Sequence, residues 1–278
     1  MSFFIIIRED MGTETKFKNG TLYISYKENI PEDRQKIIKI YKENSFIFAK
    51  VIKNLKNIDL KLFNILYYYI QKEVRQHNEP PLFDIKITIE QKVLKEKLNL
   101  TSKEWKRDLL SSIKRLHKKH ITLKDYRHPY SGDLIKWADI NIISSPKLVK
   151  PNKTGRNDIF IFTISDIVVI STWRKIRYTH LDLNKILNFT SIHSIKFYEY
   201  LTAIIQYYQN KNQYKQEINF SFLELKEIFE SNEKYLSNLV NKTFKKKVYD
   251  EVSKIIPFRY EVFSKDKIIT VYLEESKV

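Results

Sequence analysis

The chain has 278 residues, 42% hydrophobic and 14% aromatic, enough for two ordinary domains with real cores, so wholesale disorder is excluded and the 30% charged fraction belongs to surfaces. Fifty Lys and Arg against 33 Asp and Glu leave a formal charge of +17, an attractive field for a polyanion such as a phosphate backbone. The absence of cysteine excludes disulfides, thiol nucleophiles and thiolate zinc sites, and fits a reducing cytoplasm.

The apolar run Phe3 to Ile7 has no basic residue ahead of it and is too short for a signal segment or a membrane span, so a cytoplasmic protein without membrane attachment is expected. Met11 follows closely, and residues 1–44 are read as an N-terminal extension with no function assigned. From Ile58 to Val74, Leu62, Ile65, Leu66, Tyr69 and Ile70 keep helical spacing, and Asn78-Glu79-Pro80-Pro81 ends the segment. A short strand Phe83 to Ile87, a helix Ile89 to Leu98 and a helix Lys103 to Lys118 come next. Two β-like runs, Ile121 to Tyr126 and Ile135 to Ile143, then flank the turn Tyr130-Ser131-Gly132-Asp133 and predict a hairpin. Ser144 to Asp158 holds two prolines, a glycine and four basic residues without apolar periodicity, and is the expected linker.

The same order returns beyond it: a helix Ile192 to Gln209, a strand Lys215 to Phe220, helices Phe222 to Glu230 and Glu233 to Ile255, and strands Phe258 to Phe263 and Ile268 to Leu273. Thr88 before Gln91 and Thr101 before Glu104 have capping-box spacing at the first two short helices of the first half, and Ser221 before Glu224 is a weaker counterpart. Strand, helix, turn, helix, hairpin is the winged helix-turn-helix order. The predicted fold is therefore α+β, with winged-helix domains at 45–143 and 159–278 joined by 144–158.

In Glu233 to Ile255, Leu236, Leu239, Val240, Phe244, Val248, Val252 and Ile255 form one apolar stripe. The opposite face carries Asn238, Asn241, Lys242 and Lys245, with Lys234 near the helix start and Lys246 at the flank. Amides suit adenine edges and lysines suit guanine acceptors or phosphate, so this is the candidate recognition helix for duplex DNA. A solvated face is the plain alternative for Lys245-Lys246-Lys247 alone. Arg259, Lys265 and Lys267 are candidate wing contacts to phosphate or the minor groove. In the first half Trp105, Leu109, Ile113 and Leu116 make the buried stripe, leaving Lys103, Arg107, Lys114 and Lys118 outward, a row with charge but no amide that suits backbone contact.

No phosphate-cradling or dinucleotide glycine motif is present, so ATPase chemistry is not expected. His117 and His120 have no carboxylate alongside, so no metal is expected, and no cofactor is implied. No paired histidines accompany a tyrosine as a rolling-circle nickase would need. The 18 tyrosines, Tyr67 to Tyr69 and Tyr207-Tyr208 among them, read as core packing.

Tyr178 to Leu201 resembles the segment of iteron-binding plasmid replication initiators that ends in an R-L-Y-E-x-L-type helix: Tyr198, Glu199 and Leu201 agree, Lys196 stands for arginine and Phe197 for leucine. Phe244-Lys245-Lys246-Lys247-Val248 is similar to that family's basic recognition-helix signature, and Phe160 to Ser165 resembles the strand leading into its second domain. By order of elements the resemblance runs from Ser45 to Leu273. It implies binding to direct repeats in an origin, opening of adjacent A·T-rich DNA, recruitment of the host initiator and replicative helicase, and a monomer that initiates beside a dimer, joined through the first domain, that represses its own gene. Competing readings are a winged-helix transcription regulator, a nuclease or nickase, and a basic protein on an acidic membrane surface.

Overall fold

The computed structural model of the protein describes residues 5–8, 13–18, 21–26, 38–44, 47, 55–74, 85–127, 131–141, 143–150, 158–164, 168–170, 172, 178–213 and 215–274; Met11, the expected turn at Asn78 to Pro81, Tyr130 and residues 151–157 of the expected linker lie outside them. In chain order, β1 (Ile5–Arg8), β2 (Thr13–Lys18), β3 (Thr21–Tyr26) and β4 (Lys39–Glu43) precede α1 (Asn57–Val74), β5 (Ile85–Glu90), α2 (Gln91–Lys97), α3 (Trp105–His117), β6 (His120–Arg127), β7 (Leu134–Asn141), β8 (Lys147–Val149) and β9 (Ile159–Ile164). Then come β10 (Tyr178–Asp182), α4 (Leu183–Asn188), α5 (Ile192–Gln209), β11 (Glu217–Ser221), α6 (Phe222–Phe229), a helix α7, and the strands β12 (Phe258–Phe263) and β13 (Ile268–Leu273). Helix α7 has three parts: an α-helical turn Leu236–Leu239, a π-helical stretch Val240–Tyr249 and a last turn Asp250–Val252.

Helix α1 buries Leu62, Ile65, Leu66, Tyr67, Tyr69 and Ile70 and is a core helix with apolar residues on most sides. Its buried Asp59 accepts from Arg115 Nε and Nη2, both at 2.8 Å, a two-pronged pair that ties α3 to α1 and raises the Arg115 pKa. β5 alternates buried Ile85, Ile87 and Ile89 with half-buried neighbours, the period of a strand with one face inward. It sits inside a six-stranded sheet of order β1-β2-β3-β5-β9-β8, while β6 and β7 form the separate expected hairpin, with Gly132 in its loop at φ +79° where a Cβ is disfavoured. In the second half β11, β13 and β12 make a three-stranded antiparallel sheet. The Phe197 ring of α5 is its hub, with centroids 5.4 Å from Phe220, 5.2 Å from Phe244 and 6.1 Å from Phe258.

The structure corrects the sequence reading in several places, the expected linker among them, since its Lys147–Val149 forms β8 and pairs antiparallel with β9. Phe160 to Ile164 of the run compared with the strand into the second domain does not join the second sheet: β9 pairs antiparallel with β5 and buries Phe160, Phe162 and Ile164 in the first half, because alternation identifies a strand without naming its partner. The segment read as an extension without an assigned role contributes β4, which pairs antiparallel with β10, Ile40 opposite Leu181, and so stitches the halves together. Neither expected threonine capping box forms. Thr88 is still in β5, so α2 starts after Glu90 with the Gln91 amide donating to Asp158 O at 2.8 Å, and α3 starts after Glu104 without a side-chain cap. The Ser221–Glu224 box is the one that closes: the Glu224 amide donates to Ser221 Oγ at 3.2 Å and the Ser221 amide to Glu224 Oε2 at 2.7 Å.

Beneath the β4–β10 ladder the halves share a buried polar cluster. Lys42 Nζ donates to both Glu199 oxygens at 2.9 and 2.8 Å, and Asn64 Nδ2 donates to Glu199 Oε1 at 3.0 Å. Asn64 and Glu199 are each the eighth residue of an 18-residue helix, so the repeated pattern meets itself at corresponding positions.

Candidate nucleic-acid interface

The candidate interface lies on α7 and the turn before it. Helix α6 ends at Glu230, which takes a left-handed conformation at φ 50°, and the Ser231 amide returns to Lys226 O at 3.0 Å. Lys196 of α5 holds that turn from beneath: its Nζ lies 2.9 Å from Glu230 Oε1 with both side chains largely buried. Burial lowers the Lys196 pKa and the Glu230 carboxylate opposes this. At the lower end, Glu251 accepts from the Thr190 amide at 2.9 Å and the Ser191 amide at 3.4 Å, anchoring α7 to the start of α5.

The expected apolar stripe of α7 is buried at Leu236, Leu239, Val240, Phe244, Val248 and Val252, with Thr243 beside it, while Ile255 is half-buried beyond the helix. From Val240 the apolar buried residues recur every fourth position, a spacing that rotates off one face of a 3.6-residue helix but suits the wider turn of the π stretch. The same spacing keeps Asn241 with Lys245, and Lys242 with Lys246, on the outward side. All four are exposed, Asn238 is half-buried, and exposed Lys234 stands in the turn rather than on the helix. Lys242 Nζ is held 3.0 Å from Glu233 Oε1, a partner that helical spacing did not disclose.

The wing is the β12–β13 hairpin. Lys265 and Lys267 are exposed at its tip, and Lys267, at φ 56°, accepts the Phe222 amide on its carbonyl at 2.8 Å, fastening the tip to the start of α6. Arg259 is engaged within the sheet, with Nη1 2.8 Å from Glu261 Oε1 and its guanidinium 4.2 Å over the Tyr272 ring. In the first half Lys103, Arg107, Lys114 and Lys118 are all exposed, with Arg107 paired to Glu104. Trp105 is half-buried between Lys95 and Lys106, whose Nζ atoms lie 5.1 and 5.6 Å from its ring. His117 Nδ1 lies 3.0 Å from Ile143 O, and His120 is exposed.

Lys247, which the sequence named only within its basic run, is exposed beside Lys246, and sequence reasoning passed over Tyr235, which is 67% exposed at the N-cap of α7. The signal for Tyr235 was its place just before the first buried leucine. Tyr207 is also a correction: it is 50% exposed rather than packed in the core.

Strand, helix, turn, helix and hairpin occur twice, so the class is a tandem winged-helix protein. Residues 39–202 match the family described as "Initiator Replication protein, WH1". The chain belongs to this initiator replication protein family. Among solved structures it is similar in fold to the Pi initiator protein, in a crystal structure of that protein's complex with iteron DNA, with a TM-score of 0.60, 16% identity, and coverage of 87% of this chain and 99% of that one. A comparison with curated proteins finds no match. Among the described residues, no helix is long and apolar enough to cross a membrane.

Proposed function

We propose that the protein initiates plasmid replication by binding repeated double-stranded DNA sites at an origin, with α7 entering the major groove. The observation that carries this reading is the outward amide-and-lysine side of α7, Asn241, Lys242, Lys245 and Lys246, opposite a continuous buried stripe and preceded by a pinned turn. Lys265 and Lys267 at the wing tip contact the adjacent backbone. The second unit, which holds α7 and the β12–β13 wing, specifies the repeat, while Lys103, Arg107, Lys114 and Lys118 of the first grip phosphates without reading bases. The first unit also forms the homodimer that represses the protein's own gene, a reading supported by Trp137 and Leu134, exposed on β7. The protein acts by binding rather than by catalysis, in the cytoplasm, and passes the opened origin to the host initiator and helicase. Footprinting on its own plasmid tests the reading, with tandem copies of one short motif expected beside an A·T-rich tract. Asn241→Ala is expected to lower discrimination between repeat and random duplex by about 1–3 kcal/mol, while Lys103→Ala weakens both alike. Equal losses for the two would overturn the division of labour.

A further inference from the structure

A cleft of ≈ 440 Å³ opens between the last turns of α5, the start of β11 and the end of β4, sharing no residue with α7 or the wing. Tyr200, Tyr207 and Tyr208 wall it. Two lysines stand against those rings: Lys215 Nζ lies 4.6 Å over the Tyr208 ring and donates to its hydroxyl at 3.0 Å, and Lys211 Nζ lies 4.4 Å over the Tyr207 ring. Two amides in the lining are held in orientation. Thr179 Oγ1 donates to Asn44 Oδ1 at 2.6 Å, and Thr270 Oγ1 donates to Asn219 Oδ1 at 2.8 Å. Each carbonyl accepts one threonine hydroxyl, which sets the plane of the amide and of its NH₂, and among the described residues neither NH₂ meets an acceptor.

Aromatic walls, cations at the rim and unspent donors select a flat, acceptor-rich ring attached to negative charge. We propose that this cleft binds one unpaired nucleotide, its base among the tyrosines and its phosphate at Lys211 and Lys215. The amide donors favour a base with two ring carbonyls, thymine or uracil, over adenine, whose exocyclic amine would meet donor with donor. A free nucleotide and a nucleotide within a single strand present the same chemistry, and the site stands independently of duplex recognition by α7.

Calorimetric titration of the full chain with dTMP, short oligo(dT), short oligo(dA) and inorganic phosphate tests this. Oligo(dT) is expected to bind more tightly than oligo(dA), Tyr207→Ala is expected to weaken it roughly tenfold, the scale of one lost base stack, and Asn219→Asp to weaken it by putting a carboxylate where an amide donor faces the base carbonyls. Measurable dTMP binding places recognition in the nucleotide itself, and binding of oligo(dT) alone places it in the strand. Unchanged melting curves for both variants establish that they fold, and Tyr207, half out in solvent, can be truncated without opening the core. No binding of either thymine ligand, equal binding of oligo(dA), phosphate binding as tight as dTMP, or wild-type affinity in both variants would each overturn the proposal.

Discussion

At the scale of single residues, burial decides what a charged or titratable side chain does. His193, near the start of α5, packs edge-on against Phe229 with centroids 5.7 Å apart, and its Nδ1 is buried without a hydrogen-bond partner among the described residues. Burial, then the nearby Lys196 and Lys247 cations, push its pKa down to about 4 from 6.5. The folded protein therefore holds His193 neutral while the unfolded chain takes up a proton below pH 6.5, so stability falls as the pH drops from 6.5 towards about 4 and this contribution levels off below that. Urea midpoints measured across that window are expected to decline less steeply in His193→Gln than in the wild type. Parallel curves would show that His193 does not drive the acid loss. Arg259 and Lys242 make the same point for charge: each was expected to face DNA, and each already has a carboxylate within 3.0 Å.

At the scale of elements, the helix-turn-helix is held by contacts at its ends. The Ser221–Glu224 box and the Phe222 amide on Lys267 fix the start of α6, Lys196 fixes the turn through Glu230, and Glu251 fixes the end of α7. Ser221→Ala removes the cap acceptor from the Glu224 amide and is expected to cost about 1 kcal/mol, read as a lower urea midpoint with an unchanged slope. A loss no larger than that of an exposed serine elsewhere would show that water replaces the cap. The wider π turn of α7 belongs to this scale too, since it keeps Asn241 with Lys245 and Lys242 with Lys246 on one side of a long helix.

At the scale of the whole molecule, the halves are joined by a strand ladder and by charges taken out of water. Lys42 and Glu199 are 1% and 4% exposed, and Asn64 completes the carboxylate's shell. Removing one partner leaves a buried charge unmatched, so Glu199→Ala is expected to cost about 3–5 kcal/mol, whereas Lys42→Met with Glu199→Leu recovers most of that because neither ion is then desolvated. Chemical denaturation of the wild type and both variants decides it. A double variant as unstable as the single one would mean that the pair stabilises the joint in its own right.

The order of elements from α1 to β7 and from α5 to β13, both hairpins and the buried stripe of α7 were legible in the amino-acid sequence, because each depends on local periodicity and turn chemistry. β12 and β13 lie where alternation set them, and the apolar stripe from Leu236 to Val252 is buried as its spacing requires. Tertiary structure alone decided which sheet β9 would join, that Lys39–Glu43 would bridge the halves, that Thr88 and Thr101 would lose their helix starts to neighbouring backbone, and that Tyr207 would face a cleft. Those outcomes are contacts between residues far apart in the chain, as with Lys42 and Glu199, 157 positions apart, and no local pattern carries the identity of a distant partner.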